Sequence, residues 1–287
     1  MPDGSKVQSN KAFKLTTAKL PQITINLNAL LGELQVSLQT AINLLAIALR
    51  ATPPESMDDL RLPQEVFATT FAQSTHWSNA EAVERHQTWA VSNGLRDAVE
   101  GVSSFLESAH RVLSVHDLAK GNGGQILYDD YQKAMEGGSF HRLGLPDKLD
   151  HLRFEHGLLL EATLERQVLS VNNARNCLVH RRGIVSQRDL NANKKMLVEW
   201  RKLHIFLQNE DGEQEFCIGK LVEKESTVCL RVQDEQKSFA LGDRISFTIQ
   251  EFADVTWGLY AFGSEVVKLI GGEAPNKNAS TVLSKEG

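Results

Sequence analysis

Apolar residues recur at Leu27, Leu30, Leu31, Leu34, Leu38, Ala41, Ile42 and Leu45, the three-and-four spacing of one helical face. The spacing predicts a helix from Leu27 to Leu49, closed by Thr52-Pro53-Pro54 because two prolines cannot continue it. A polar, proline-containing connection runs on to about Thr75. Ser78 and Glu81 then form an S-x-x-E capping box, which satisfies two orphan backbone donors at a helix start. The stripe that follows, from Leu95 through Val99, Val102, Phe105, Leu106 and Ala109 to Leu113, predicts a second helix to about Val115.

Glycines 121, 123, 124, 137, 138 and 144 with Pro146 mark a loop carrying one short helix near Ile126 to Met135. Helical periodicity returns from Leu149 to His180, with Leu160, Leu164, Val168 and Val171 on the stripe. From Leu203 the period becomes strand-like: "LHIFLQ", a turn at Asp211-Gly212, "EFCIGKL", "TVCLRV" and "SFALG" predict a meander of three or four strands. Thr248 and Glu251 make another capping box, and Ile249, Phe252, Val255, Leu259, Phe262, Val266 and Leu269 lie along a last helix ending at Gly271-Gly272. The fold class is mainly α: a bundle of four to five helices with a small β-meander inserted before the last helix. In domain terms, 1–22 is a flexible N-terminal segment, 23–202 and 243–272 form the bundle, 203–242 is the β-rich insertion and 273–287 a disordered tail.

With 287 residues the chain can bury a core without covalent staples, and its net charge of −5 argues against a polybasic tail or membrane-surface binding. Cys177, Cys217 and Cys229 show no CxxC or zinc spacing, so reduced cysteines in a cytoplasmic protein are expected. Met1 to Asn10 lacks an apolar signal core. The most apolar stretch, Ala41 to Leu49, is shorter than a membrane span, which predicts a soluble protein.

Chemistry concentrates in "NNARNCLVHRRG", residues 172 to 183. Arg175 falls where the third stripe predicts an apolar residue, and an arginine there must reach solvent, an acid or an interface. Asn172, Asn176 and His180, at steps of four, share the neighbouring edge. Gly183 is placed to end the helix as a left-handed cap.

Arg175, a polar Asn176 and His180 after three more residues resemble the R-polar-x(3)-H form of the Rx4-6H signature of the HEPN superfamily. The following "RRGIV" is similar to the family as well. The resemblance implies a HEPN-like helical bundle with the signature near the end of a late core helix. In catalytic members two protomers face each other to build a metal-independent endoribonuclease site. Carried over, His180 from the two chains acts as base and acid, Arg175 stabilises phosphorane charge, and Asn176 orients the histidine or the phosphate. The implied product is a 2′,3′-cyclic phosphate, and DNA is not cut.

RNA and a second copy of the chain are thus the expected partners, with no membrane, metal or cofactor. An antitoxin or other protein partner, and a toxin or phage-defence role, are also implied by the resemblance. Arg181, Arg182, Arg188, Lys194 and Lys195 are the expected RNA-binding residues, in a stretch where basic residues outnumber Asp189 and Glu199. The alternatives are a non-catalytic HEPN module that binds RNA, a nucleotide or a protein, and a structural dimerisation domain with Arg175 paired to a carboxylate.

Other groupings carry less. His151, Glu155 and His156 lack the HExxH order of zinc hydrolases and read as a solvated polar helix start. Lys120-Gly121-Asn122-Gly123-Gly124 lacks the terminal Gly-Lys-Ser/Thr of a phosphate loop. Cys177 reads as core filler despite sharing a helix side with His180, and Glu155, Glu161 and Glu165 as a solvated face.

Overall fold

The computed structural model describes residues 24–50, 78–216, 221–222 and 224–272. Segment 1–22, the proline-containing connection to Thr75, Cys217 and the tail 273–287 lie outside the described residues. The described elements are α1 (Leu27–Arg50), α2 (Asn79–Gly121), α3 (Tyr128–Glu136), α4 (Leu145–His156), α5 (Ala162–Arg181), β1 (Met196–Asn209), β2 (Gly212–Glu215), β3 (Thr227–Phe239) and α6 (Ile249–Ile270). The chain is mainly helical, and its small antiparallel sheet has the order β2-β1-β3.

Both capping boxes form. The Ser78 amide donates to Glu81 Oε2 at 2.9 Å and the Thr248 amide to Glu251 Oε2 at 2.7 Å, so α2 and α6 start where their caps predict. With 43 residues, α2 spans about 65 Å and is the spine of the fold. It runs past Val115 to Gly121, because Leu118, Ala119 and Lys120 sustain the helix until the left-handed Gly123 and Gly124. Its apolar stripe meets Leu30, Leu34, Leu38, Ala41 and Leu45 of α1 in one core that Phe252, Phe262 and Val266 of α6 complete. Each such fully buried Leu or Phe contributes roughly 1.5–3 kcal/mol.

α1 has a second property. It is long and apolar enough to cross a membrane by length and composition, because Gln35, Gln39 and Asn43 interrupt it without adding charge. Only part of it is buried: Val36, Leu44 and Ile47 are exposed.

The predicted helix from Leu149 to His180 is two helices. α4 starts earlier, at Leu145 after the Gly144 cap and with Pro146 in its first turn, and ends at Gly157, whose φ of +67° is left-handed. The amides of Gly157 and Leu158 return to the carbonyls of Arg153 and Leu152 at 3.1 and 3.2 Å. Leu158 and Leu164 are buried on either side of the break, so the apolar rhythm continues although the helix does not.

The sheet also differs from the predicted meander. β1 begins at Met196 and is antiparallel to β3 from Met196↔Phe239 to Gln208↔Thr227, so "TVCLRV" and the start of "SFALG" belong to one strand. Of "EFCIGKL", Glu215 is the end of β2, Phe216 and Leu221 lie outside the strands, and 217–220 are outside the described residues. The polar run between "TVCLRV" and "SFALG" pairs with the charges of β1, Lys202 with Glu235 at 2.6 Å and Arg201 with Asp234 at 3.3 Å. Met196, Val198 and Trp200 are buried in the main core, which makes the base of the sheet part of the bundle. Gly258 permits that packing: a Cβ there would lie 2.9 Å from the Arg201 carbonyl oxygen, so α6 rests directly on the β1 backbone.

Candidate nucleic-acid interface

Near the C-terminus of α5, Ala174 and Cys177 are fully buried and Arg175 sits beside them, with 21 % of its side chain exposed. The apolar stripe therefore passes through Ala174, three residues after Val171. The expectation that Arg175 interrupts it is corrected by the 3.6-residue turn, for which steps of three and four both stay on one face. Arg175 Nη2 donates to Glu100 of α2, and Nη1 donates to Asn176 Oδ1 at 3.0 Å. Its buried Nε has no partner among the described residues. Asn176 thus orients Arg175; its carbonyl is not turned to His180.

The polar edge emerges from the core: Asn172 is buried, Asn176 half-buried and His180 exposed in the last turn. Arg182, with φ of 55°, takes the left-handed cap expected of Gly183, and Gly183 continues it with φ of 73°. The Gly183 amide returns to Cys177 O at 3.0 Å, completing the cap. Burial, with the Asp189 charge added to it, pushes the Cys177 thiol up, so this sulfur is a neutral core group.

The basic residues divide into two groups. Arg181 pairs with the nearly buried Asp189, whose other oxygen accepts from Ser186 N and Oγ at 2.8 Å each. Arg181 consequently holds the turn at 186–189 and is committed to the fold. Arg182, Arg188, Lys194 and Lys195 are exposed and have no ion-pair partner among the described residues. Arg244 joins them from far along the chain, because residues 183–185 pair with 242–245: Val185 N donates to Asp243 O at 2.9 Å and Ile245 N to Gly183 O at 2.8 Å. That pairing places Arg244 Nη1 3.2 Å from Arg182 O. Glu100 and Arg244 were not legible as site residues, since neither has a local motif and only the packing of α2 and of segment 242–245 brings them here.

A second polar cluster lies farther along α2. His151 and His156 are in the second half of α4, not at a solvated helix start, because α4 begins at Leu145 and they turn toward the extended end of α2. There they meet His110: its Nδ1 lies 2.9 Å from His156 Nε2, and one nitrogen from each of the three rings falls within 4.8 Å of the others. His156 Nδ1 lies 2.7 Å from Asp117 Oδ2. Burial, reinforced by His156, His151 and Arg111, pushes His110 down to about 4, so it is neutral at pH 7. Glu155 is exposed outside this group, while Glu165, expected to be solvated, binds Arg153 at 2.5 Å.

Between the two clusters, Lys148 of α4 is buried and reaches Glu107 and Ser103 of α2, at 2.6 Å each. Glu100, Ser103, Glu107, His110 and Asp117 advance by steps of three, four and seven, so one side of α2 carries a continuous polar seam. Comparison of the chain with family models, curated proteins and solved structures yields no match in any of the three.

Proposed function

We propose that the chain is a metal-independent endoribonuclease of HEPN type that acts as a homodimer through the end of α5. The observation that carries this reading is the exposed His180 in the last turn of α5, two residues before Arg182, whose carbonyl oxygen accepts from Arg244 Nη1 at 3.2 Å; neither arginine, nor the exposed Arg188, has an acidic partner among the described residues. Imidazole titrates nearest neutral pH, and a cationic corner around it attracts a phosphate backbone to a chain of negative net charge.

In the proposed reaction one His180 takes the proton of an RNA 2′-hydroxyl, whose oxygen attacks the adjacent phosphorus. The bond to the 5′ oxygen breaks, and that oxygen receives a proton from the second protomer's His180. Arg175, held by Asn176, faces the charge that develops on the non-bridging oxygens. The product is a 2′,3′-cyclic phosphate. A toxin or defence role, with a neutralising protein partner, belongs to the same reading.

A second reading, RNA or partner binding without cleavage, is favoured by the Arg175–Glu100 pair, which neutralises within one chain the charge that catalysis requires. Incubation of the protein with RNA in EDTA separates the two. The first reading requires cleavage with cyclic-phosphate ends, lost in His180→Ala and Arg175→Ala and absent on a 2′-O-methyl substrate. Cleavage retained by these variants, or binding without cleavage by a confirmed dimer, rejects it.

A further inference from the structure

We propose that His110, His151 and His156 bind one divalent transition-metal ion of the zinc class, with Asp117 as the positioning carboxylate. The ligands come from two helices: His110 from α2, and His151 and His156, five residues apart, from α4. Their nitrogens already converge within 4.8 Å. A tetrahedral ion with Zn–N distances of about 2.0–2.1 Å sets its ligand nitrogens about 3.4 Å apart. The His110–His156 pair, at 2.9 Å, needs to open by only a few tenths of an ångström.

Hydrogen bonding within the cluster points the same way. Asp117 accepts from His156 Nδ1, which leaves the Nε2 lone pair facing His110; a carboxylate behind a ligating imidazole fixes its tautomer and raises its basicity. His110 Nδ1 shares a single proton with His156 Nε2 in the metal-free arrangement, and a move of that proton to His110 Nε2 frees the Nδ1 lone pair for a metal ion without changing net charge. His151 makes ring contacts with His110 and Phe140 but no hydrogen bond among the described residues, so it has a free nitrogen to offer. A cluster serving only to fill space between two helices has no need of three imidazoles meeting nitrogen to nitrogen.

The surroundings hold the rings in place and limit the repulsion an added cation would meet. Phe140 stacks on His110 with centroids 4.3 Å apart and meets His151 edge-on at 5.2 Å. Two cations near the cluster, Lys148 and Arg111, share Glu107 at 2.6 and 4.0 Å. Three neutral nitrogen donors suit Zn²⁺, Co²⁺, Ni²⁺ or Cu²⁺ and not Mg²⁺ or Ca²⁺. His110 and His151 are partly exposed while the His156 side chain is 7 % exposed, and water would take the fourth position of a tetrahedral ion. The ion would clamp the end of α4 to α2, on the same side of α2 as Glu100 and roughly 15 Å along it at 1.5 Å per residue.

The test is titration of untagged, chelator-treated full-length protein with Co²⁺. The visible d–d bands of a four-coordinate ion are expected to saturate at one equivalent, to be displaced by Zn²⁺ and to be unaffected by excess Mg²⁺. His151→Phe, which keeps the ring packing against Phe140, and His156→Gln should abolish the signal; Asp117→Asn should weaken binding roughly 10–100-fold. Circular dichroism verifies that the variants stay helical. A wild-type titration with no saturable band overturns the site, as does a band that survives in folded His151→Phe. The readout is independent of RNA cleavage, so failure here leaves the α5 reading standing, and the converse also holds.

Discussion

Truncating Glu107 to alanine should cost far more stability than replacing its partner. Lys148 has 1 % of its side chain exposed and is held at 2.6 Å by Glu107, which retains 23 % exposure. Removing the carboxylate leaves an ammonium group in the core with Ser103 Oγ as its one acceptor among the described residues. Breaking a buried ion pair from one side costs about 3–5 kcal/mol, and the partial exposure of Glu107 places this case near 3. For a chain of this size, that corresponds to a melting temperature lower by roughly 6–12 °C. Lys148→Met, in contrast, removes the charge that pays the desolvation cost, fills similar volume over Phe140, and leaves a carboxylate that can turn to solvent or to Arg111, so its cost should be about 0–1 kcal/mol. The double variant should match Lys148→Met. Urea denaturation of the three variants at pH 7, with unchanged slopes, is the assay. A Glu107→Ala cost below about 1 kcal/mol, or a larger loss for Lys148→Met, would show that this pair is not dominated by lysine desolvation.

Glu100→Gln frees Arg175 from a half-exposed ion pair worth about 0.2–1 kcal/mol, so RNA affinity by fluorescence anisotropy should rise by up to about fivefold; a decrease would place Glu100 itself among the contacts. Alanine at Arg182, Arg188 and Arg244 together should reduce the slope of log affinity against log salt on single-stranded RNA by about 2, at roughly 0.7 per phosphate contact, and an unchanged slope would move the phosphate path elsewhere. Gly258→Val drives a side chain into the Arg201 carbonyl and should destabilise by about 1–3 kcal/mol in thermal melts; a neutral result would mean α6 and β1 can separate freely. Burial alone would raise Glu251, but hydrogen bonds from Lys237 and from the Thr248 amide, with the Lys237 charge, hold it below its usual 4.5. Its contribution is therefore present above pH 4.5 and lost as pH falls below it, and Glu251→Gln should flatten that part of an acid-unfolding profile. An identical profile in the variant would assign the acid sensitivity to other carboxylates.

The starts of α2 and α6 were the most legible feature of the fold, because a capping box is a contact between residues three apart and its geometry is complete within one turn, whereas α4 and α5 start without a side-chain cap and their boundary was not legible. The sequence likewise indicated the mainly helical class, the short helix after the glycine-rich loop and the sheet before α6. It overran the break at Gly157, since Leu158 and Leu164 keep the apolar rhythm while one left-handed residue redirects the backbone. At the site, local spacing already put Arg175, Asn176 and His180 on adjoining edges of a helix end, a consequence of 3.6 residues per turn. What each one faces came from the packing of the helices. Arg175 meets Glu100, Arg181 is spent on Asp189, Arg244 arrives beside Arg182, and His110 and Asp117 complete a cluster in which His151 and His156 read as solvated. The physical reason is that covalent spacing sets direction within an element, whereas charge pairing and metal-type convergence depend on distances between elements, which the packing of α2 against α4 and α5 sets.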